Sequence, residues 1–197
     1  MTRTTARHNG FSLVELMVTI TVAAILLAIA LPSFRNVIHR NQVTAASNDV
    51  LASLAYARSE AIGRGQMVSM CPSSDGATCT AAGQDFAPGW MVYTYPAGAA
   101  SANKAYDAAT SLLLRATPAR AGVSIRSKSA EIVTFGQQGQ LDSATTTPEP
   151  SLTFVTCYTD STTTGTSTTA VPGAELGVNG SGSVQTTTVT SGGSCAP

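Results

Sequence analysis

The chain has 197 residues, with 11 Lys+Arg balanced by 11 Asp+Glu, so its formal net charge is zero. That balance excludes a generally basic protein that coats nucleic acid and a strongly acidic, solvating one. Charged residues are only 11% of the chain, against roughly 25% in ordinary soluble domains, so Ser, Thr, Asn, Gln and Gly must supply much of the surface polarity.

Residues 1–10, MTRTTARHNG, are polar and carry Arg3 and Arg7. An apolar run, FSLVELMVTITVAAILLAIAL, follows over residues 11–31. At about 1.5 Å per residue it spans about 31 Å as a helix, close to the thickness of a bilayer core. Arg35 and Arg40 beyond the run leave the charge asymmetry weak, so a cytoplasmic N-terminus is favoured only modestly. Glu15 does not fit a plain anchor, because a carboxylate inside a membrane helix costs about 2.5–3.5 kcal/mol. Such a group usually has a partner, and a cut between Gly10 and Phe11 would create one, an α-amino group. Two plainer alternatives remain. A secretory signal peptide could be cut after Ala28-Ile29-Ala30, although the run exceeds the usual apolar length of about 7–15 residues. A simple single-pass anchor leaves Gly10 and Glu15 unexplained.

Gly10-Phe11-Ser12-Leu13-Val14-Glu15-Leu16 resembles the class III signal of type IV prepilins and type II secretion pseudopilins. The resemblance implies that a membrane prepilin peptidase cuts after Gly10 and that Phe11 is N-methylated. It also implies that Glu15 neutralises the amine of a neighbouring subunit during filament assembly on an inner-membrane platform.

Pro32 predicts a kink rather than a stop. Helical patterning resumes at Val37, Ile38, Val43, Ala46, Val50, Leu51, Leu54, Ala55 and Ile62, with Gly63 and Gly65 as the stop signal. One helix is therefore expected from about residue 11 to about 62, about 78 Å if continuous. Its first half is apolar all round; its second half, a stem over residues 32–63, is amphipathic and needs a sheet to cover it. The period then changes to two. Strands are expected at 67–71, 90–95, 111–115, 123–126, 132–135, 152–158, 175–178 and 184–189. PSSDG at 72–76, PAGAAS at 96–101, GQQG at 136–139 and NGSG at 179–182 read as turns. The Thr- and Ser-rich runs at 145–147 and 161–169 read as exposed loops.

This layout resembles the GspH/FimT group of minor pilins and pseudopilins. The supporting residues are Ala55-Tyr56-Ala57-Arg58-Ser59-Glu60-Ala61-Ile62, the strand ending in Cys71, Gly89-Trp90-Met91-Val92-Tyr93, and Ile132-Val133-Thr134-Phe135-Gly136 with Gly139. The implied fold is α+β, a long N-terminal helix on an antiparallel β-sheet domain spanning residues 64–197. The implied setting is the bacterial inner membrane, with the β-rich domain in the periplasm and other pilins or pseudopilins as partners. Either a type II secretion pseudopilus or a type IV pilus would suit.

Cys71, Cys79, Cys157 and Cys195 all follow the apolar run, on the side where disulfides persist, and they allow three pairings. Cys71–Cys79 would close a short strand-to-loop excursion, and Cys157–Cys195 would tie down the tail. No Cys-x-x-Cys pair occurs, and the histidines are His8 in the leader and His39 on the helix, so no metal, cofactor or catalytic residue is expected. His39 reads as an exposed helix residue. Trp90, Tyr93 and Tyr95 read mainly as core. Some relatives in this group take up DNA through a basic motif near the C-terminus. Here the comparable Gly180-Ser181-Gly182-Ser183-Val184-Gln185 has no positive charge, and the basic concentration is Arg115, Arg120, Arg126 and Lys128. Between Ser129 and Pro197 there is no Lys or Arg, so nucleic acid is not an expected partner.

Overall fold

The helical period read from the sequence becomes one element, α1 (Leu13–Arg64), in the computed structural model, which describes residues 11–80, 83–96, 98, 103–128, 132–142, 151–160 and 164–196. The leader with Gly10, the run at 145–147, residues 161–163 and most of the PAGAAS turn lie outside the described residues. The helix runs through Pro32 without a stop. It also passes Gly63, expected to help end it, and stops one residue later. Gly65 there adopts φ +61°, and the Gln66 amide reaches back to the Ala61 carbonyl at 3.3 Å. That geometry is a Schellman-type C-cap, which a residue with a Cβ adopts only under strain. The chain divides into two units, with the boundary between Ile38 and His39.

Among the described residues the second unit contains nine strands: β1 (Val68–Pro72), β2 (Gly89–Thr94), β3 (Leu112–Pro118), β4 (Val123–Ser127), β5 (Val133–Phe135), β6 (Leu141–Asp142), β7 (Leu152–Tyr158), β8 (Ala174–Val178) and β9 (Val184–Thr188). All eight expected strands occur, with ends shifted by three residues or fewer. β6 was not expected, because two residues are too short to display a period. The expected antiparallel β-sheet domain is built of two sheets, ordered β3-β2-β1-β5-β6 and β4-β7-β8-β9. The chain crosses from the first sheet to the second at β4, returns for β5 and β6, and then completes the second.

One hydrophobic cluster joins both sheets to the helix stem. Val43, Ala46, Val50, Leu54, Ala57 and Ala61 form a buried stripe at spacings of three and four. Val68, Met70, Trp90, Val92, Val133 and Phe135 meet it from the first sheet; Ile125, Phe154, Leu176 and Val178 meet it from the second. The stripe departs from the expected one at its end. Ile62 is 52% exposed and Ala55 lies outside the core, while the smaller Ala57 and Ala61 are buried. Trp90 is the single tryptophan, and its indole N–H donates to Ser53 Oγ at 2.9 Å, so the one polar atom it brings into the core is satisfied.

The outer faces are covered as well. Cys71, Met91, Tyr93 and Tyr95 on the first sheet form a second cluster with Cys79 and Tyr106. Tyr93 donates to the Lys104 carbonyl at 2.6 Å, and Tyr95 donates to the same carbonyl at 2.9 Å. Burial, with Tyr95 as neighbour, holds the Tyr93 phenol well above its ordinary range. Trp90 and Tyr93 therefore serve opposite faces of one strand. On the second sheet, Val155, Cys157, Cys195 and Val189 make a third cluster. The Thr-rich stretch read as an exposed loop contributes here: Thr166 bridges to Ser194, and Ser167 is buried. A reading based on composition misses this because the partner strand is a distant segment of the tail.

Replacing Leu54 with Ala should remove about 2–5 kcal/mol of stability, since a buried leucine loses both transfer energy and packing. Ala55→Ser, on the exposed face, should change stability by less than about 0.5 kcal/mol. Guanidinium unfolding of the detergent-solubilised chain, followed by Trp90 fluorescence, measures both.

Candidate assembly site

The first turn of α1 is built by Ser12. Its Oγ accepts the Glu15 backbone N–H at 3.2 Å, and its carbonyl accepts the Leu16 N–H at 3.1 Å. Ser12-x-x-Glu15 therefore has the spacing of a capping box, in which an acid three residues on favours a helix N-terminus. This capping role stands beside the assembly role that the prepilin resemblance implies for Glu15.

After Glu15 no charged residue occurs before Arg35. The helix is long and apolar enough to cross a membrane, with a mean hydropathy of 2.5 over its best 18-residue window and none of that window buried. Leu13, Ile20, Ile25, Leu26 and Ile29 are 58–74% exposed. Of the three hydroxyls within the run, two donate internally: Thr19 to the Leu16 carbonyl and Thr21 to the Met17 carbonyl. The run therefore presents side chains that water penalises, while its two threonine donors are already met within the helix.

In the second unit, polar clamps hold the stem to the β-domain. Arg40 donates to the carbonyls of Ala170 and Thr169. His39, expected to be exposed, stacks on Tyr158 with ring centroids 3.8 Å apart. Asp49 pairs with Arg120. Arg58 reaches both sheets, donating from Nε to the Gly139 carbonyl and from Nη2 to the Ser181 carbonyl, each at 3.0 Å. Gly139 and Gly182 make that approach possible: both have φ near +78°, and a Cβ on Gly182 would come within 2.2 Å of the Gly139 carbonyl oxygen. The Leu141 N–H donates to the Gly180 carbonyl beside them and stitches the two sheets. The contacts made by the stem itself leave no trace in a local sequence pattern, because each joins residues 70 or more positions apart.

The cysteines pair as Cys71–Cys79 and Cys157–Cys195. Among the described residues no group of His, Cys, Asp or Glu could hold a metal ion. Next to the first disulfide, Asp75 accepts the backbone N–H groups of Ala77 and Thr78 and the hydroxyls of Thr78 and Ser73. These bonds, the Ala77 amide foremost, hold its carboxyl well below the usual carboxylate range.

Residues 46–182 match the family model described as type II transport protein GspH, and residues 5–31 match the prokaryotic N-terminal methylation motif. No curated protein matches the chain. Among solved structures, the Pseudomonas aeruginosa (strain PAO1) type IV minor pilin FimU in space group P21 is 23% identical, covering 79% of this chain and 93% of that chain at a TM-score of 0.49. The same pilin in space group P65 is 22% identical, covering 75% of this chain and 98% of that chain at a TM-score of 0.48.

Two outcomes follow from the local chemistry. Cys157→Ser with Cys195→Ser opens a loop of sequence separation 38 and should lower stability by about 3–4 kcal/mol in the chain-entropy account, read as a shift in denaturation midpoint. The depressed Asp75 carboxyl stabilises the fold above its unfolded pKa of about 3.9. That contribution disappears as pH falls through the folded value. Melting temperatures taken across the acid range should therefore fall less steeply for Asp75→Asn than for the parent. With more than half of its length matched by one family model, and the methylation motif ahead of it, the chain belongs to the GspH family of type II transport proteins.

Proposed function

We propose that the mature chain begins at Phe11 and serves as a minor pseudopilin or pilin subunit, anchored in the bacterial inner membrane with its β-domain in the periplasm. The observation that carries this reading is the exposed apolar helix headed by Phe11 and Glu15. Its side chains need lipid before assembly and neighbouring helices afterwards. Lipid and helix are equally apolar, so packing alone gives little register between subunits. Glu15 supplies it. The amine freed at Phe11 by prepilin peptidase meets the Glu15 carboxylate of the adjacent subunit, and only one axial offset satisfies both charges. The assembly platform that extracts the subunit works against the lipid cost, which this pairing offsets.

DNA binding gains no support from the arrangement of cations. Of the four basic residues in the central concentration, Arg120 is committed to Asp49 and Arg126 to Asp85.

N-terminal sequencing of the mature protein tests the processing step. The expected result is a chain starting at N-methylated Phe11; a start at Leu31 would identify a conventional secretory signal instead. Glu15→Ala should leave cleavage intact. It should reduce recovery in sheared filaments by roughly ten- to a hundredfold, the equivalent of losing a charge-assisted bond of about 1.5–3 kcal/mol. Unchanged recovery would remove the pairing mechanism.

A further inference from the structure

The two sheets have four edges, and they are not treated alike. On the first sheet, β3 carries Arg115 and Pro118, and its register with β2 shifts at Val92/Tyr93. Charge, proline and bulge are devices that discourage an incoming strand. At the other end, β6 is two residues long, and its Leu141 N–H is taken by the Gly180 carbonyl. On the second sheet, β4 is covered: Phe86 donates to the Ile125 carbonyl and Ser127 to the Gln84 carbonyl, each at 2.9 Å, around the Asp85–Arg126 bridge.

The fourth edge, β9, has none of these protections. Its sequence VQTTT has no charge and no proline, and its five-residue register with β8 is unbroken. The Val189 N–H donates to Gly173 and the Asn179 N–H to Ser183. Antiparallel ladders alternate inward- and outward-facing residues, so these bonds turn the N–H and C=O groups of Val184, Thr186 and Thr188 away from β8. Among the described residues none of those groups finds a partner. Beside them, between β9 and the helix, lies a groove of about 560 Å³ lined by Val43, Thr44, Ser47, Asn48 and the threonines of β9, with no charged residue.

Alternating free donors and acceptors along an extended edge match the backbone of another extended chain. We propose that β9 is a strand-addition site that receives an extended, uncharged segment of about five residues from a different subunit of the filament. A charged segment would lose hydration in this groove without gaining a partner. A second copy of this chain is a poor occupant. Its own open edge is β9 again, and an isologous β9–β9 pair closes as a two-fold dimer, which cannot propagate a filament. The inference rests on the subunit reading above.

The test is amide hydrogen exchange of the full chain in two states, detergent-dispersed at high dilution and retained in the cell-envelope fraction. The Val184, Thr186 and Thr188 amides should exchange rapidly when dispersed and at least about tenfold more slowly in the envelope, with β3 amides unchanged. Equal rates in both states would overturn the proposal, as would protection of β3 in place of β9. Protection that rises with concentration of the pure chain would also overturn it, by identifying a second copy as occupant. Thr186→Pro removes one outward donor and no bond to β8, so it should fold with an unchanged melting temperature yet lose the envelope protection at Val184 and Thr188. Thr186→Val, which keeps the backbone, should retain it; loss in both variants would overturn a backbone-mediated site. Protected β9 amides in a chain absent from sheared filaments would sink the filament reading alone.

Discussion

A single helix has to satisfy two unlike surroundings, and the other features of the molecule follow from that constraint. Up to about Leu31, α1 is apolar on every side and exposed. From Val43 onward it is apolar along one stripe only, and that stripe is buried. The change in pattern, from all-round to one-sided, is what separates a segment made for lipid and other helices from a segment made for a sheet. Glu15 sits in the first kind of segment at the one place where a carboxylate is tolerated, the first turn, with Ser12 capping the backbone beside it.

The stem is held to the β-domain in a way that burial alone would not achieve. Small residues, Ala46, Ala57 and Ala61, let the sheets approach the helix closely. Such a surface is smooth and offers little to fix axial position. Polar contacts at His39, Arg40, Asp49, Ser53 and Arg58 supply that definition. Arg58 caps the turns of two hairpins from different sheets. On the proposed subunit reading, a helix drawn from the membrane during assembly would need a stem tied at several points along its length.

Both sheets are covered on their outer faces, each with a disulfide in the covering layer. This explains how a chain with so few charges keeps a defined surface. Among the described residues, Thr and Ser side chains around Asp75 and at Ser167 are engaged in hydrogen bonds. The Tyr93–Tyr95–Lys104 bonds do the same on the first sheet.

The helix, eight of the nine described strands and the turns at 72–76, 136–139 and 179–182 are legible in the residues, because each is set by short-range spacing: 3.6 for the helix, two for the strands, Gly at sharp turns. The prepilin-like signal was legible for the same reason, and so was the Ser12 cap, though it was overlooked. Division of the strands into two sheets, the stacking of His39 on Tyr158, the reach of Arg58 and the openness of β9 were decided only by tertiary structure. They depend on which distant segments meet, and a one-dimensional pattern records the face a side chain prefers but not the neighbour it finds there.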